Sequence, residues 1–343
     1  MSSLCNKHPY RRTPGILLGS GLAIVLSSML SGCSGAPSVL SPASPQGSQI
    51  AGLFWGVFAV AAVIFIGVET VLIYSIIRFR QRPDSPQPPQ IHGHWTLETA
   101  WTLAPALILA GVFVATASTM VAVTERQQSP LRVLVTGHQW FWQIEYPDLN
   151  IVTATDLHVP ADYPVEIEVV SADVIHSFWA PQLAGKIDVI PGHSNFLRFT
   201  PNQPGVYRGQ CAEFCGAQHA NMGFEVVVDS SETFDNWVKE MQTVPEVPTT
   251  GPAARGAQVF VSTSPCFTCH TIQGTRAQAK IGPDLTHFAS RRTIAALTLE
   301  NTPENLATWL EDPQAVKPHN KMVIPPLRQD AIQDLVAYLE TLK

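Results

Sequence analysis

Residues 211–222 read CAEFCGAQHANM, a run that places sulfur and imidazole side chains close together. With one histidine upstream, five soft-metal ligands are available: His176, Cys211, Cys215, His219 and Met222. Thiolate and thioether sulfur combined with imidazole suits copper, and a weak axial Met tunes a copper potential. Two cysteines four positions apart can bridge two copper ions, each with one histidine. The run therefore predicts a dinuclear copper centre that passes single electrons.

Other interpretations of this run remain open. Zinc binds cysteine pairs of similar spacing, but structural zinc takes four ligands and would leave Met222 without a role. An oxidising compartment would permit a disulfide between Cys211 and Cys215. A copper chaperone of the thioredoxin type needs a βαβ pattern around its cysteines. Here the run lies between β-like segments instead.

A second cofactor motif lies at residues 266–270, which read CFTCH. The pattern Cys-x-x-Cys-His attaches a c-type haem. Cys266 and Cys269 would bind the haem covalently, and His270 would be an iron ligand. Half of a zinc site is the alternative. The motif predicts a second redox centre, separate from the copper run in the sequence.

The sixth ligand of this haem is expected downstream of the motif. Met322 is the only methionine after the motif, and Met/His ligation raises the potential of a haem. His319 and His287 are the competing ligands. The sequence after Met322 departs from the Met-Pro pair common in small cytochromes c. Residues 281–285, IGPDL, are similar to the loop that packs on the histidine side of the haem in those proteins.

The segment that contains the copper run has the pattern of short strands. Five runs rich in β-branched and aromatic residues alternate with Gly, Pro, Asn and Asp: LRVLVTG, QWFWQIEY, VEIEVVS, FLRFT and FEVVV. They predict a Greek-key β-sandwich whose metal ligands lie in loops at one end. Helical spacing of apolar residues over 330–342 predicts a closing helix at the C-terminus. A Pro/Thr-rich linker over 243–252 separates the two domains.

Three apolar segments precede the strands. The first, 16–30, follows basic residues and leads to Leu-Ser-Gly-Cys33, which has the form of a lipoprotein signal site. We therefore expect lipidated Cys33 as the mature N-terminus; a retained first helix is the alternative. Segments 53–77 and 101–123 are long enough to span a bilayer. Arginines over 78–82 mark the cytoplasmic side, so both globular domains are expected outside.

Longer motifs carry a family resemblance. GHQWFW over 137–142, LETAWT over 97–102 and the copper run resemble subunit II of cytochrome c oxidase, over roughly residues 50–240. The resemblance implies a cupredoxin-like sandwich and a set of copper ligands: His176, Cys211, Glu213 through its main chain, Cys215, His219 and Met222. It also implies that electrons enter at Trp140, although plain packing of Trp140 is the alternative. The Glu213 side chain would help to bind a magnesium ion shared with the large subunit.

The expected chain is therefore a membrane-anchored, multidomain protein. Its parts are a signal peptide (1–32), a flexible segment (33–49), a transmembrane helical hairpin (50–124), a copper domain (125–242), a linker (243–252) and an all-α class I cytochrome c domain (253–343). We call the last the haem domain. In the family, a glutamate at the position of Glu98 lies near the mouth of a proton path; a cap on the helix N-terminus is the alternative.

The resemblance implies a caa-type oxidase subunit in a bacterial inner membrane. It would pass electrons from soluble cytochrome c, or a similar donor, through haem c and two coppers to the large subunit, which reduces oxygen to water. The expected partners are the large subunit, other oxidase subunits and membrane lipid, and no nucleic acid. The alternatives are the electron-input subunit of another copper-pair reductase, for nitric or nitrous oxide, and a membrane-tethered copper-delivery protein.

Charge is distributed unevenly between the two globular domains. Residues 125–250 hold 6 basic and 16 acidic residues, a net charge of −10, whereas residues 251–343 hold 9 and 8, a net charge of +1. An acidic face can steer a basic electron carrier, although a merely solvated surface is the alternative. We expect Lys317 and Lys321 to dock on acids near Trp140, such as Glu145 or Asp173.

Overall fold

The computed structural model describes residues 37–81, 87, 89–126, 128 and 130–343. Cys33 and the signal segment lie outside the described residues. Two long apolar helices come first, α1 (Pro45–Arg78) and α2 (Trp95–Thr124). Both have the length and composition needed to cross a membrane. They include and extend the two predicted spans.

The start of α1 is held against the globular part of the chain. The Ser44 side chain caps the helix by accepting from the Gly47 backbone N–H at 2.8 Å. The Ala43 N–H donates to the Gln182 carbonyl at 2.8 Å, and Gln46 accepts from the Thr200 N–H at 3.1 Å. The prediction of a flexible segment over 33–49 is therefore wrong for its last residues. A helix cap and hydrogen bonds to the sandwich hold these residues in place.

Glu98 lies in the first turn of α2. Its carboxylate accepts from the backbone N–H of His94 at 3.0 Å, and His94 Nδ1 accepts from the Leu97 N–H at 3.4 Å. This reciprocal arrangement has the geometry of a capping box and satisfies donors that the first helical turn leaves unpaired. The cap interpretation of Glu98 therefore has direct structural support.

A β-sandwich of two five-stranded sheets follows. Its strands are β1 (Leu131–His138), β2 (Phe141–Tyr146), β3 (Ile151–Ala154), β4 (Asp156–Pro160), β5 (Val165–Ser171), β6 (His176–Trp179), β7 (Ile187–Val189), β8 (Asn195–Phe199), β9 (Gly205–Cys211) and β10 (Gly223–Asp229). One sheet has the order β3-β2-β1-β5-β8 and the other β4-β10-β9-β6-β7. The predicted sandwich is confirmed.

The aromatic run 140–142 packs differently from a continuous strand. β2 begins at Phe141, because residues 139 and 140 form a turn. Trp142 is fully buried between the sheets, where its ring contacts Phe178 and Phe224 edge-on. Trp140 is only partly buried and packs on the edge of this core. The predicted strand 139–146 is therefore two residues too long, and one aromatic residue of the three is fully buried.

Helices are the main regular structure of the C-terminal domain. After α3 (Ser231–Met241), which packs on the sandwich, come α4 (Gly251–Gln258), α5 (Pro303–Glu311), α6 (Pro313–Val316) and α7 (Gln329–Leu339), with a short hairpin of β11 (Thr293–Ile294) and β12 (Leu299–Glu300). α4 begins inside the predicted linker. The predicted closing helix is α7, which buries Ile332, Leu335 and Leu339.

Candidate metal and haem sites

The copper run forms a loop that joins β9 to β10. Because the two strands are antiparallel neighbours, the loop ends lie together, and the Cys211 N–H donates to the Met222 carbonyl at 3.0 Å. β6 pairs with β9 in the same sheet, with Phe178 opposite Cys211. This pairing brings His176, the first residue of β6, to the loop. Sheet register therefore assembles ligands that are 35 residues apart.

Five predicted copper ligands surround one small volume. The sulfurs of Cys211 and Cys215 are 3.7 Å apart. His176 Nδ1 lies 4.0 Å from the Cys211 sulfur, and His219 Nδ1 lies 3.7 Å from the Cys215 sulfur. The Met222 sulfur is 3.8 Å from the Cys215 sulfur. Each cysteine thus has its own histidine, which is the division that two bridged copper ions require.

The sixth predicted ligand is also at the site. The main-chain carbonyl of Glu213 lies 3.2 Å from the Cys211 sulfur, whereas the Glu213 side chain is exposed. Cys211, Cys215 and Met222 are buried. The site therefore presents soft sulfur to the interior and one carboxylate to the outside.

Asp173 orients His176, a role that the sequence analysis did not assign to it. Asp173 Oδ1 lies 2.8 Å from His176 Nε2, so the hydrogen bond leaves Nδ1 to face the sulfur. Gly137 approaches the same ring so closely that a Cβ there would lie 3.0 Å from the imidazole. This contact explains the glycine of the GHQ motif. The histidine is therefore held on two sides.

Contacts between the two cysteines and His176 shift the pKa values of these groups. The hydrogen bond from Cys215, supported by one with His176 and opposed by burial, lowers the pKa of Cys211 to about 3. The same contact raises the pKa of Cys215. Burial opposes the charged form of His176, but its contacts with Cys211 and Asp173 outweigh burial and raise its pKa. The contacts of Cys211 therefore favour its thiolate, and thiolate is the form that binds metals.

Trp140 contacts the copper loop directly. Its indole Nε1 donates to the Cys215 carbonyl at 3.1 Å, and the side chain of Gln139 donates to the same carbonyl at 2.8 Å. The backbone N–H of Gln139 in turn donates to Asp173 at 2.7 Å. The GHQW motif therefore supports the loop that carries Cys215. The sequence predicted a role for Trp140 but not this hydrogen bond.

The haem-attachment motif lines a cavity of about 520 Å³. Cys266, Cys269, His270 and Met322 all contribute to its wall. His270 Nδ1 lies 2.8 Å from the Pro283 carbonyl, which leaves Nε2 available as an iron ligand. Burial lowers the pKa of His270, so the imidazole is neutral, as a ligand must be.

The loop after the motif packs on His270, as its sequence predicts. A Cβ at Gly282 would lie 2.6 Å from the imidazole, so only glycine allows this approach. Met322 lines the cavity, whereas His319 and His287, the competing sixth ligands, are absent from the described cavity wall. The geometry therefore favours Met322.

Two unpaired polar atoms in this cavity fit a haem. Among the described residues, Arg291 Nε and Thr293 Oγ1 are buried without a hydrogen-bond partner, and both residues line the cavity. Such atoms are costly unless a ligand satisfies them. A cationic guanidinium and a hydroxyl suit the carboxylates of a haem. No sequence motif pointed to either residue.

The cavity extends to the sandwich. Trp140, with Gln139 and Phe141, lines it together with the haem-attachment cysteines. The same tryptophan is hydrogen-bonded to the Cys215 carbonyl. One aromatic side chain therefore borders the haem cavity and contacts the copper loop.

Charged contacts join the two domains, partly as predicted. Lys321 Nζ lies 3.3 Å from Asp173, which confirms that pair. Glu145 is not the partner, because it accepts from Gln143 at 2.7 Å. Lys317 does not pair with an acid; it donates to backbone carbonyls instead.

Comparison with known proteins gives three matches along the chain. The family profile "Cytochrome C oxidase subunit II, transmembrane domain" matches residues 38–121, the periplasmic domain of the same subunit matches 150–231, and "Cytochrome c" matches 253–343. Together they include both helices, most of the sandwich and the whole C-terminal domain.

Individual relatives agree with these profiles. Cytochrome c oxidase subunit 2 of Alkalihalophilus pseudofirmus is 35% identical over 328 residues, which are 93% of this chain and 95% of the relative. The Bacillus subtilis protein of the same name is 32% identical, and the match covers 92% of this chain and 94% of the relative. The crystal structure of the periplasmic domain of subunit II of cytochrome oxidase from Bradyrhizobium japonicum is 31% identical, with a TM-score of 0.33, and covers 34% of this chain and 96% of its own.

Proposed function

Because the chain belongs to the cytochrome c oxidase subunit 2 family and carries a cytochrome c domain, we propose that it relays electrons within a membrane oxidase. A soluble cytochrome c or similar donor reduces the haem domain. The electron crosses at Trp140 to the copper domain and continues to the large subunit, where oxygen becomes water.

The observation that carries this order is the double contact of Trp140. The residue lines the cavity that contains the haem-attachment motif, and its indole donates to the carbonyl of Cys215 at 3.1 Å. A side chain that borders both sites shortens the path between them. It also explains why a partly buried tryptophan lies at this end of the sandwich.

The copper domain and the cytochrome c domain indicate copper and haem c as the cofactors. We propose that the copper centre is dinuclear, because Cys211 and Cys215 are 3.7 Å apart and each faces one histidine. When bound, the haem and the copper pair each take up and release one electron. The residues hold these groups rigidly: sheet register fixes His176, and Pro283 fixes His270.

The exposed side of the copper loop is the proposed contact with the large subunit. The Glu213 side chain is exposed beside the loop that supplies the ligands. A carboxylate at that place suits magnesium, which prefers oxygen ligands.

The chain is anchored in a membrane by two apolar helices. We propose a bacterial inner membrane with both globular domains outside, since the two relatives described above are bacterial.

The match to the transmembrane profile of the oxidase subunit favours this function over two alternatives. One is the electron-input subunit of a nitric or nitrous oxide reductase, and the other is copper delivery. Copper delivery would also leave the haem-attachment motif without a use.

Replacement of one bridging cysteine tests the proposal. In the full chain within its oxidase complex, Cys215→Ser should abolish the mixed-valence EPR and near-infrared signals of a copper pair while the haem absorption stays intact. Met222→Leu should keep copper but shift its potential, because an axial thioether bond is weak. Met241→Leu, a buried methionine elsewhere in the copper domain, is the matched control. A normal mixed-valence signal in Cys215→Ser would exclude a dinuclear centre.

A further inference from the structure

Lys317 is a buried cation that the proposed relay does not yet use. Lys317 lies in the haem domain directly after α6, and only 3% of its surface is exposed. Its ammonium group donates three hydrogen bonds, to the carbonyls of Trp140 at 3.0 Å, Asn221 at 2.7 Å and Ala295 at 2.9 Å. An ammonium group has three donors, so this site satisfies all of them.

Two of the three acceptors belong to the copper domain. Trp140 is the proposed crossing point, and Asn221 precedes the proposed copper ligand Met222 in the same loop. The third acceptor, Ala295, belongs to the haem domain itself. Lys317 therefore connects the haem domain to the turn that carries Trp140 and to the copper loop.

The turn that supplies the third acceptor has an unusual backbone. Ala295, Ala296 and Leu297 have φ values of +52°, +59° and +65°. Left-handed geometry is unfavourable for residues with a Cβ, and runs of it are rare. The turn contacts the copper domain, where the Ala296 carbonyl accepts from the Gly223 N–H at 3.3 Å. Contacts across the interface therefore compensate for a strained turn.

The remaining charged contacts lie at the rim. The side chains of Lys321, paired with Asp173, and of Arg292, paired with Glu225, are each 59% exposed. Exposed ion pairs contribute little and are screened by salt. Lys317, in contrast, is buried, and its removal would take a charged donor away from three carbonyls at once, which costs more than loss of a rim pair.

We infer that Lys317 is the positioning residue that holds the haem domain on Trp140, so that the docked arrangement is the resting state of the chain. This inference rests on the proposed electron relay. Burial lowers the pKa of Lys317 to about 7, whereas the three carbonyl acceptors favour the ammonium form. The linker then serves mainly to bring the haem domain back after it has been released from the copper domain.

The test compares Lys317→Met with the unaltered chain, each as the full oxidase complex. A flash-induced measurement gives the rate of electron transfer from haem to copper. A carbodiimide gives the docked fraction, because this reagent joins a lysine to a carboxylate only in direct contact, here Lys321 to Asp173. Haem and copper spectra establish that the variant is folded and loaded. If Lys317→Met does not fold, Lys317→Gln replaces it.

We expect Lys317→Met to slow the transfer at least tenfold and to lower the cross-link yield in parallel, with both spectra unchanged. Loss of one hydrogen bond from a charged donor is sufficient for roughly tenfold. Lys317→Arg, which keeps a charged donor, should recover part of both. Lys239→Met, on the exposed face of α3, should change neither. Lys321→Met lacks the lysine that forms the cross-link, so only its transfer rate is measured. That rate should fall by less than about twofold.

Two results would overturn the inference. Unchanged transfer and unchanged cross-linking in Lys317→Met would show that other contacts hold the domain. A lower cross-link yield with an unchanged rate would show that docking by Lys317 does not position the relay. Failure of the proposed function is distinct from both, since the unaltered chain would then show no transfer from haem to copper.

Discussion

Replacement of Asp156 by asparagine should make the protein more stable at neutral pH. Asp156 begins β4 and is 4% exposed. One carboxylate oxygen accepts from the Arg292 N–H at 3.3 Å, and the other has no hydrogen-bond partner among the described residues. Burial raises the pKa of Asp156 from 3.8 to about 6, although the nearby charge of Arg291 opposes the shift.

The size of the effect follows from these two pKa values. A raised pKa means that the folded chain binds the proton more tightly than the unfolded chain. The resulting stabilisation is fully present below the unfolded value of 3.8 and is lost as the pH rises through about 6. Each pKa unit corresponds to about 1.4 kcal/mol, so ionised Asp156 costs about 3 kcal/mol at pH 7.5 relative to its neutral form. Asparagine, which resembles the neutral carboxyl group, avoids this cost.

Urea unfolding of the detergent-solubilised full chain measures the difference. Asp156→Asn should raise the free energy of unfolding by about 3 kcal/mol at pH 7.5 and by only about 1 kcal/mol near pH 4.5, where the wild-type carboxyl is mostly protonated in the folded chain. Asp148→Asn is the control. Asp148 is exposed, and its hydrogen bond to Arg132 lowers its pKa, so its replacement should produce a small loss at neutral pH.

The outcome that would refute this reasoning is a less stable Asp156→Asn variant at pH 7.5. That result would mean that Arg291 and the Arg292 N–H compensate the buried carboxylate fully. An equal gain in the free energy of unfolding at both pH values would show that packing, and not titration of Asp156, causes the effect.

Two further predictions concern the relay. Met322→Ala should remove the weak absorption band of Met-to-iron charge transfer and lower the haem potential; survival of that band would identify another ligand. Cleavage at a protease site engineered into the exposed linker, within 245–249, should make transfer from haem to copper depend on protein concentration and fall with salt, because rim ion pairs then guide a bimolecular encounter. An equally flat salt response in cut and uncut protein would show that charge does not guide docking.

Local motifs account for what the sequence predicted well. The copper run and the CFTCH motif each place most of their ligands within twelve positions, so these needed no knowledge of the fold, whereas His176 and Met322 lie farther away in the sequence. The five predicted strands are rich in β-branched or aromatic residues. The strands that were missed are short, such as β7, or interrupted by glycine and polar residues, such as β9. Such runs are recognised only by their pairing, β7 with β6 and β9 with β6 and β10, which periodicity does not reveal.

Roles that depend on backbone atoms were the hardest to predict. Asp173 was expected at the docking face, but its hydrogen bond to His176 depends on a turn of three residues that only the structure shows. Lys317 was expected to find a carboxylate, because sequence reasoning pairs opposite charges. Its partners are carbonyl groups. Residues differ in their side chains, but all of them carry the same backbone carbonyl, so the sequence contains no signal for this contact.

The unequal exposure of the interface charges has a consequence for how the two domains behave. Rim pairs such as Lys321 with Asp173 form and break easily because water competes for both partners. They suit the approach of a domain, since their fields act over about 8–10 Å at physiological salt. Lys317 acts only after water has left, because its own ammonium group is buried against backbone carbonyls. In the proposed relay, long-range charge would orient the haem domain, and short-range hydrogen bonds at Trp140 and Asn221 would determine where it stops. The precise contacts would then lie beside the residue at which we propose that the electron crosses.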